Sequence, residues 1–275
     1  MKAIILAGGL GTRISEETSD KPKPMVDIFG KTMLWHIMSV FAKQGINEFF
    51  IATGYKGDVI RQWVETVEEP WKITVVDTGL ETQTGGRIAE CMRLIPGEQV
   101  FATYGDGLGN VNLRTLRDFH EHHGKLATIT AVRPPARFGV LESENGLVTR
   151  FGEKNQADSG WINGGFFVLE PTIVNFVHDL SEPFESVALP RLVEEKQLMS
   201  FHHSGFWKPM DTLRERNELV EMAKMTTPPW LENLEYQSSQ STFEVIRQES
   251  RMCNSGELIS ILKLRVRNSR ESDLG

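Results

Sequence analysis

Three stretches of this chain of 275 residues carry side chains of the right kind and spacing to handle phosphate groups and a divalent cation. The first is Leu6-Ala7-Gly8-Gly9-Leu10-Gly11-Thr12-Arg13. Three glycines in four positions let backbone N–H groups curve closely around an anion. Arg13 adds a permanent positive charge with forked donors. Two familiar glycine-rich patterns fail here on spacing. A dinucleotide fingerprint starting at Gly9-Leu10-Gly11 needs glycine where Ile14 stands, and a P-loop ending at Gly30-Lys31-Thr32 needs glycine where Met25 stands. A tight turn at a strand end is the plain alternative for this loop.

The second stretch is Lys21-Pro22-Lys23-Pro24-Met25. Prolines on both sides of Lys23 hold the backbone extended and restrict its direction. A rigidly aimed ammonium suits a phosphate whose charge must be offset in a transition state. The third is Tyr104-Gly105-Asp106-Gly107, with a second aspartate far away in Met210-Asp211-Thr212. Asp211 taken alone reads as the N-cap of a helix. Taken with Asp106, it offers two hard oxygen donors, and Mg²⁺ completes such a pair with water and phosphate oxygens rather than an all-protein cage.

Other clusters carry less. His120, His122 and His123 sit near a helix end without the HExxH spacing of a zinc site, and read as capping or solvated residues. Glu153-Lys154 follows a predicted strand and reads as a surface ion pair or a polar-ligand contact. The paired glycines of Asn163-Gly164-Gly165 sit inside a strand pattern, which implies close approach by a ligand or by another backbone.

These groups need a frame that brings distant loops to one edge. Residues 2–7 form a short apolar run ended by glycine, which suits a strand buried on both faces. The stripe Met33, Leu34, Ile37, Met38 and Phe41 predicts a helix over 31–44 closed by Gly45. Strands are predicted at 48–53, 72–76, 100–104, 126–132 and 162–169, and helices at 58–67, 86–94, 113–123 and 212–223. The alternation implies parallel strands with right-handed crossovers. A hairpin is expected around Glu144-Asn145-Gly146, and Pro171 opens a helix. In open parallel sheets ligands bind at the carboxyl ends of the strands, where Asp106 falls. Residues 1–230 read as one domain. Residues 231–275, beginning near a polar run at 237–242, read as an appended tail without chemistry.

The bulk numbers fit an ordinary soluble globule. Hydrophobic residues make up 40% and charged residues 24%, and the formal net charge of −7 disfavours a nucleic-acid partner. Cys91 and Cys253 form no CxxC pair, so a reducing cytoplasm is expected. No apolar run is long enough to span a membrane, and no membrane partner is expected.

Together the three stretches resemble the sugar-1-phosphate nucleotidyltransferases. Thr53-Gly54-Tyr55-Lys56-Gly57, Val76-Asp77-Thr78-Gly79 and Thr84-Gly85-Gly86-Arg87 resemble the cytidylyl branch of that family. So do Arg137-Phe138-Gly139-Val140-Leu141, Ile162-Asn163-Gly164-Gly165-Phe166-Phe167 and Phe206-Trp207-Lys208-Pro209-Met210-Asp211-Thr212. The resemblance covers about residues 1–230. It implies an α/β, Rossmann-like, mostly parallel sheet with helices on both faces, a small β-rich sugar-binding part and a homo-oligomer. It also implies that Leu6 to Arg13 wrap the nucleotide, that Lys23 contacts the triphosphate, and that Thr82, Arg87 and Gly105 line the nucleotide pocket. The resemblance further implies that Asp106 and Asp211 hold Mg²⁺, that Arg13, Lys23 and Asp106 carry catalysis, and that Glu153, Lys154 and Asn163 contact the sugar phosphate. The implied reaction joins CTP and a hexose 1-phosphate, glucose 1-phosphate in that branch, into CDP-glucose with release of pyrophosphate. Two departures from the family pattern stand out: a shortened segment before Glu69-Pro70-Trp71, and Asn155 in place of proline. Spacing alone leaves the base open among CTP, UTP, dTTP and GTP. A non-catalytic nucleotide-binding subunit is the reading from another class.

Overall fold

The structure is a computed structural model. It describes residues 1–134, 139–144, 147–153, 160–232, 234, 242–252 and 258–267, with side chains for 1–134, 160–232 and 234. The elements run β1 (Lys2–Ala7), α1 (Ser15–Thr18), β2 (Asp27–Ile28), β3 (Lys31–Thr32), α2 (Met33–Ala42), β4 (Glu48–Thr53), α3 (Gly57–Val64) and β5 (Lys72–Asp77). Next come α4 (Thr84–Arg93), β6 (Val100–Tyr104), β7 (Gly107–Gly109), α5 (Leu113–His123), β8 (Ala127–Val132), β9 (Gly139–Glu144) and β10 (Leu147–Glu153). The remainder is β11 (Ile162–Asn163), β12 (Phe167–Leu169), α6 (Leu189–Glu194), β13 (Leu198–His203), β14 (Trp207–Pro209), α7 (Leu213–Ala223), β15 (Thr242–Met252) and β16 (Leu258–Arg267).

Among the described residues eight strands make the central sheet, with β1 paired in parallel to β4 on one side and to β6 on the other. β5 extends the β4 edge in parallel, and β13 runs parallel to β8. β12 lies antiparallel between β6 and β8, and β11 pairs antiparallel with β8. The sheet is therefore mostly parallel rather than wholly so.

Alternation along β1 assigns its residues to two cores. Ala3, Ile5 and Ala7 face one side with Phe41 of α2, Leu116 of α5 and Leu219 of α7. Ile4 and Leu6 face the other with Ile88 and Met92 of α4 and Leu192 of α6. Helices cover both faces, and this is why β1 is apolar at nearly every position. α2 forms as expected. Thr32 Oγ1 accepts from Trp35 N–H at 3.1 Å as the N-cap, and Gly45, at φ 85°, ends the run with its N–H on Ala42 O at 2.9 Å.

Several expectations are corrected. The strand expected over 162–169 is broken at Gly164-Gly165-Phe166, where Gly165 and Phe166 take positive φ. The reason is close packing: a side chain on Gly164 would meet Val132 Cγ1 at 2.5 Å, and Gly164 N–H bonds Thr130 O at 2.9 Å. The neighbours that crowd the paired glycines are thus β8, through the Val132 side chain and Thr130 O, and the Tyr104 ring. The helix expected over 58–67 ends at Val64, and Pro171 opens a 3₁₀ turn, Pro171–Phe176. A π-helical turn at Phe184–Ala188 leading into α6, and the strand β13, have no counterpart among the expectations.

The histidine cluster is structural. Lys125 N–H donates to His123 Nδ1 at 2.9 Å, which leaves His123 Nε2–H to donate to Thr128 Oγ1 at 2.7 Å. Thr128 then donates to His120 Nδ1 at 2.8 Å, and His120 Nε2–H donates to Glu170 at 3.1 Å. Every position in this chain is filled by neutral imidazoles.

The chain falls into two units, residues 1–235 and 236–275. Trp230 and Leu234 are buried in the core of the first. In the second, β15 and β16 pair antiparallel from Thr242↔Arg267 to Met252↔Leu258, with a bulge between Val245 and Arg247.

Candidate active site

The site forms where β1 and β6 end side by side. Gly105 N–H bonds Leu6 O at 2.9 Å, and a Cβ at 105 would stand 2.6 Å from that oxygen and 2.8 Å from Pro24 Cγ. Only glycine permits two strand ends and the proline loop to meet this closely. Beyond Leu6 the glycine loop turns at Gly11, whose φ of 64° is left-handed. Thr18 Oγ1 donates to Gly11 O and Ile14 O, each at 3.1 Å, and secures the far side of the turn.

A cavity of about 530 Å³ opens against this loop. Its walls include all of Leu6, Ala7, Gly8, Gly9, Leu10, Gly11, Thr12, Arg13, Lys23, Thr82, Arg87, Gly105, Asp106 and Asp211. Residues that sequence reasoning did not assign to it are Pro24, Leu80, Glu81, Gln83, Thr84 and Tyr104.

Lys23 Nζ lies 2.7 Å from Asp106 Oδ2 and 2.8 Å from Asp211 Oδ1. Arg13 Nη1 lies 3.1 Å from Asp211 Oδ2. Burial pulls the Lys23 pKa down, but the charge of Asp106 and the bonds to both aspartates outweigh it, and the net shift is upward. The lysine is therefore firmly cationic. The backbone differs in detail from expectation: it is extended at Pro22 and Val26, while Lys23–Met25 form one 3₁₀ turn. Pro24 still limits that turn, and the two carboxylates hold the ammonium in place.

The two aspartates meet because of a short ladder. β14 pairs antiparallel with β7 from Trp207↔Gly109 to Pro209↔Gly107. Asp106 immediately precedes β7 and Asp211 closely follows β14, so antiparallel pairing sets them together, with Met210 N–H on Asp106 O at 2.8 Å. The capping alternative for Asp211 is overturned: Thr212 caps α7 in a reciprocal box with Glu215. The Asp211 carboxylate instead meets Lys23 and Arg13 at the cavity wall. Lys208, buried within β14, binds Glu218 of α7 at 2.5 Å and fixes the strand to the helix.

Arg87 is buried, and four of its five N–H donors lie in groups already engaged. Nη1 reaches Thr53 O at 2.8 Å, Thr78 Oγ1 at 2.5 Å and Gly79 O at 3.0 Å. Nη2 reaches Gly8 O at 3.2 Å and Leu80 O at 3.5 Å. The guanidinium ties the glycine loop to the turn opposite.

The residues expected near the sugar are only partly described. Asn163 is not in the cavity wall, but its Nδ2 donates to the hydroxyl of Tyr104, which is, at 2.7 Å. Glu153 ends β10 opposite Gly139, and its side chain, like the whole of Lys154, lies outside the described residues.

Asp106 and Asp211 fit a divalent cation by donor chemistry. Both oxygens already share one cationic nitrogen, and hard carboxylates suit Mg²⁺. Among the described residues no group of three or more His, Cys, Asp or Glu could hold a metal. Two carboxylates leave most of a coordination shell for phosphate and water.

Residues 2–215 match the family model described as nucleotidyl transferase. The chain belongs to the nucleotidyl transferase family. It is 43% identical over 253 residues to the glucose-1-phosphate cytidylyltransferase of Salmonella typhi, spanning 84% of this chain and 98% of that protein. It is 39% identical over 252 residues to the probable glucose-1-phosphate cytidylyltransferase of Bacillus subtilis, spanning 84% and 99%. Identity to the mannose-1-phosphate guanylyltransferase catalytic subunit beta of Dictyostelium discoideum is 32%, spanning 84% and 68%. The fold is that of the crystal structure of HddC from Yersinia pseudotuberculosis, with a TM-score of 0.65 at 24% identity over 81% of this chain and 99% of that one. The Rossmann-like sheet expected for a nucleotidyl transferase is thus present.

Proposed function

We propose that this nucleotidyl transferase moves the cytidylyl group of CTP onto glucose 1-phosphate, giving CDP-glucose and pyrophosphate. The observation that carries the reading is Lys23 set between Asp106 and Asp211 at the wall of a glycine-lined cavity. The base and sugar follow the relatives: identity is 43% to a glucose-1-phosphate cytidylyltransferase against 32% to a mannose-1-phosphate guanylyltransferase.

The reaction needs no covalent enzyme intermediate and no general base. A phosphate oxygen of the sugar 1-phosphate, already anionic, attacks the α-phosphorus in line. A new oxygen–phosphorus bond forms as the bond from that phosphorus to the bridging oxygen breaks, and pyrophosphate leaves with the electron pair. What the protein supplies is position and charge. Residues 6–13 wrap the nucleotide with backbone N–H groups. Arg13 and Lys23 offset charge on the departing pyrophosphate. Thr82 and Gly105 line the nucleotide pocket, and Arg87 shapes it by holding Gly8 and Leu80. Asp106 and Asp211 hold Mg²⁺, which when bound draws charge from the phosphate oxygens. Glu153, Lys154 and Asn163 contact the sugar phosphate.

The working protein is a homo-oligomer in the cytoplasm on this reading. Burial raises the pKa of the Cys91 thiol to about 12, so it is a poor nucleophile. Among the described residues no helix is long and apolar enough to cross a membrane. A non-catalytic nucleotide-binding subunit is disfavoured by the presence of Arg13, Lys23, Asp106 and Asp211 together in one cavity.

Pyrophosphate release should be measured with CTP, UTP, dTTP and GTP, each with glucose 1-phosphate and Mg²⁺. Fastest release with CTP supports the proposal. Fastest release with another nucleotide overturns the choice of base, and nucleotide binding without release from any of them favours the non-catalytic subunit.

A further inference from the structure

Two residues of the cavity wall, Thr84 and Tyr104, direct their hydroxyl groups to one exposed carboxylate, that of Glu185. Thr84 Oγ1 donates to Glu185 Oε2 at 2.6 Å, and Tyr104 Oη donates to Glu185 Oε1 at 2.7 Å. Tyr104 Oη in turn accepts from Asn163 Nδ2 at 2.7 Å, and Asn163 Oδ1 accepts from Gly165 N–H at 2.8 Å.

The direction of this chain is dictated at its Glu185 end. An ionised carboxylate can only accept. The single phenolic proton of Tyr104 is therefore spent on Glu185, and the phenol oxygen can only accept from Asn163. Asn163 must turn its nitrogen to Tyr104 and its oxygen to Gly165. Burial, with the charge of Glu185 next, pushes the Tyr104 pKa further up, so the phenol keeps its proton. The second amide hydrogen of Asn163 has no partner among the described residues. At the other oxygen of Glu185, Thr84 also accepts from Phe184 N–H at 2.8 Å, which ties the start of α4 to the turn carrying Glu185. One carboxylate thus links the wall beside Thr82 and Arg87 to the Asn163 amide.

We propose that Glu185 is a positioning residue for the sugar 1-phosphate, acting through Tyr104 to aim the free N–H of Asn163 at that substrate. This rests on the reading of the cavity given under Proposed function. It assigns a role to a residue that touches no substrate and sits in a π-helical turn.

The test is a steady-state comparison of wild type, Glu185→Ala, Glu185→Gln, Tyr104→Phe and the double variant Glu185→Ala/Tyr104→Phe, with melting temperatures alongside. Glu185→Ala and Tyr104→Phe should each raise KM for glucose 1-phosphate about tenfold, the scale of one lost charge-assisted hydrogen bond, with KM for the nucleotide changed less than about twofold. The double variant should be no worse than the worse single, because either change already breaks the chain. Glu185→Gln keeps one acceptor and should fall between wild type and Glu185→Ala. Multiplying effects in the double variant, or equal rises in both KM values with a matching fall in melting temperature, would overturn the proposal while leaving the reading of the cavity intact. A wild type that releases no pyrophosphate with any of the four nucleotides would overturn that reading, and the role of Glu185 with it.

Discussion

The guanidinium of Arg87 fills the space that a side chain at residue 8 would need, with Cζ, Nη1 and Nε all in collision range of a Cβ built on Gly8. The same guanidinium holds Gly8 O with Nη2. The glycine loop is thus supported from behind by an arginine, and its first glycine is required by that support.

Gly8→Ala and Gly9→Ala should therefore differ sharply, although they are neighbours in one motif. A Cβ at residue 9 meets nothing within 4 Å. Forcing Arg87 aside is an overpacking cost of about 1–3 kcal/mol, which for a domain of this size lowers the melting temperature by about 5 °C. Gly9→Ala should stay within about 1 °C of wild type, since surface changes of this kind cost little. Thermal melts of the two variants check this, and equal melting temperatures would remove the support role of Arg87.

Lys23→Met should lower kcat by about 100-fold or more, the scale of removing one preorganised charge from a transition state. Without Lys23, Asp106 and Asp211 face each other with less compensation. Added Mg²⁺ should then raise the melting temperature of Lys23→Met more than that of wild type. Asp106→Asn should lose most turnover and also lose that Mg²⁺ response. A Mg²⁺ response that survives Asp106→Asn would place the metal elsewhere.

The pair Lys208–Glu218 should show an asymmetry. Lys208 is buried, whereas Glu218 is partly exposed and is also held by Arg214 at 2.9 Å. Glu218→Ala strands a buried ammonium and should cost about 3 kcal/mol. Lys208→Met leaves a carboxylate that still has water and Arg214, and should cost about 1 kcal/mol. Urea denaturation gives both values, and the reverse order would refute the argument.

Acid should destabilise the protein through its histidine chain. Burial, then the neighbouring His120, Lys125 and His122, lowers the pKa of His123 to about 4 from the ordinary 6.5. Burial lowers His120 in the same direction. The unfolded chain takes up these protons before the folded one, so this contribution is complete above pH 6.5 and is lost as pH falls toward 4. Melting temperature measured over that window should fall less steeply in His123→Gln than in wild type. Parallel curves for the two would show that His123 is not part of the acid response.

Much of the frame was readable from local pattern. The strand bounds at 48–53 and 100–104 agree with the structure, because buried parallel strands are continuous apolar runs between sharp breakers. α2 was legible from its stripe and from Gly45. β13 was not: it lies at an edge of the sheet and its Leu-Met-Ser-Phe-His-His run is half polar. The turn at 184–188 carries no periodic signal, and so Glu185 was missed. At the site, the residue types at 6–13, 23, 106 and 211 marked one cavity, but no spacing could show that Lys23 bridges the two aspartates. That contact depends on the β7–β14 ladder, whose strands have three residues each. Asn163 was noticed for the glycines after it, while its link to Tyr104 depends on the pairing of β12 with β6.

That pairing inverts an ordinary rule of search. β12 runs against β6, with Phe167 opposite Ala102 and Leu169 opposite Val100. Residues lying before β12 therefore reach the same rim as residues lying after β6, and Asn163 arrives beside Tyr104 from upstream. A scan of relatives for changes in substrate choice that inspects only the residues after each strand would pass over this position. On the reading given under Proposed function, the informative residues for this reversed strand lie ahead of it, in β11 with Asn163, and exchanging them between relatives is expected to alter the acceptor while leaving the glycine loop untouched.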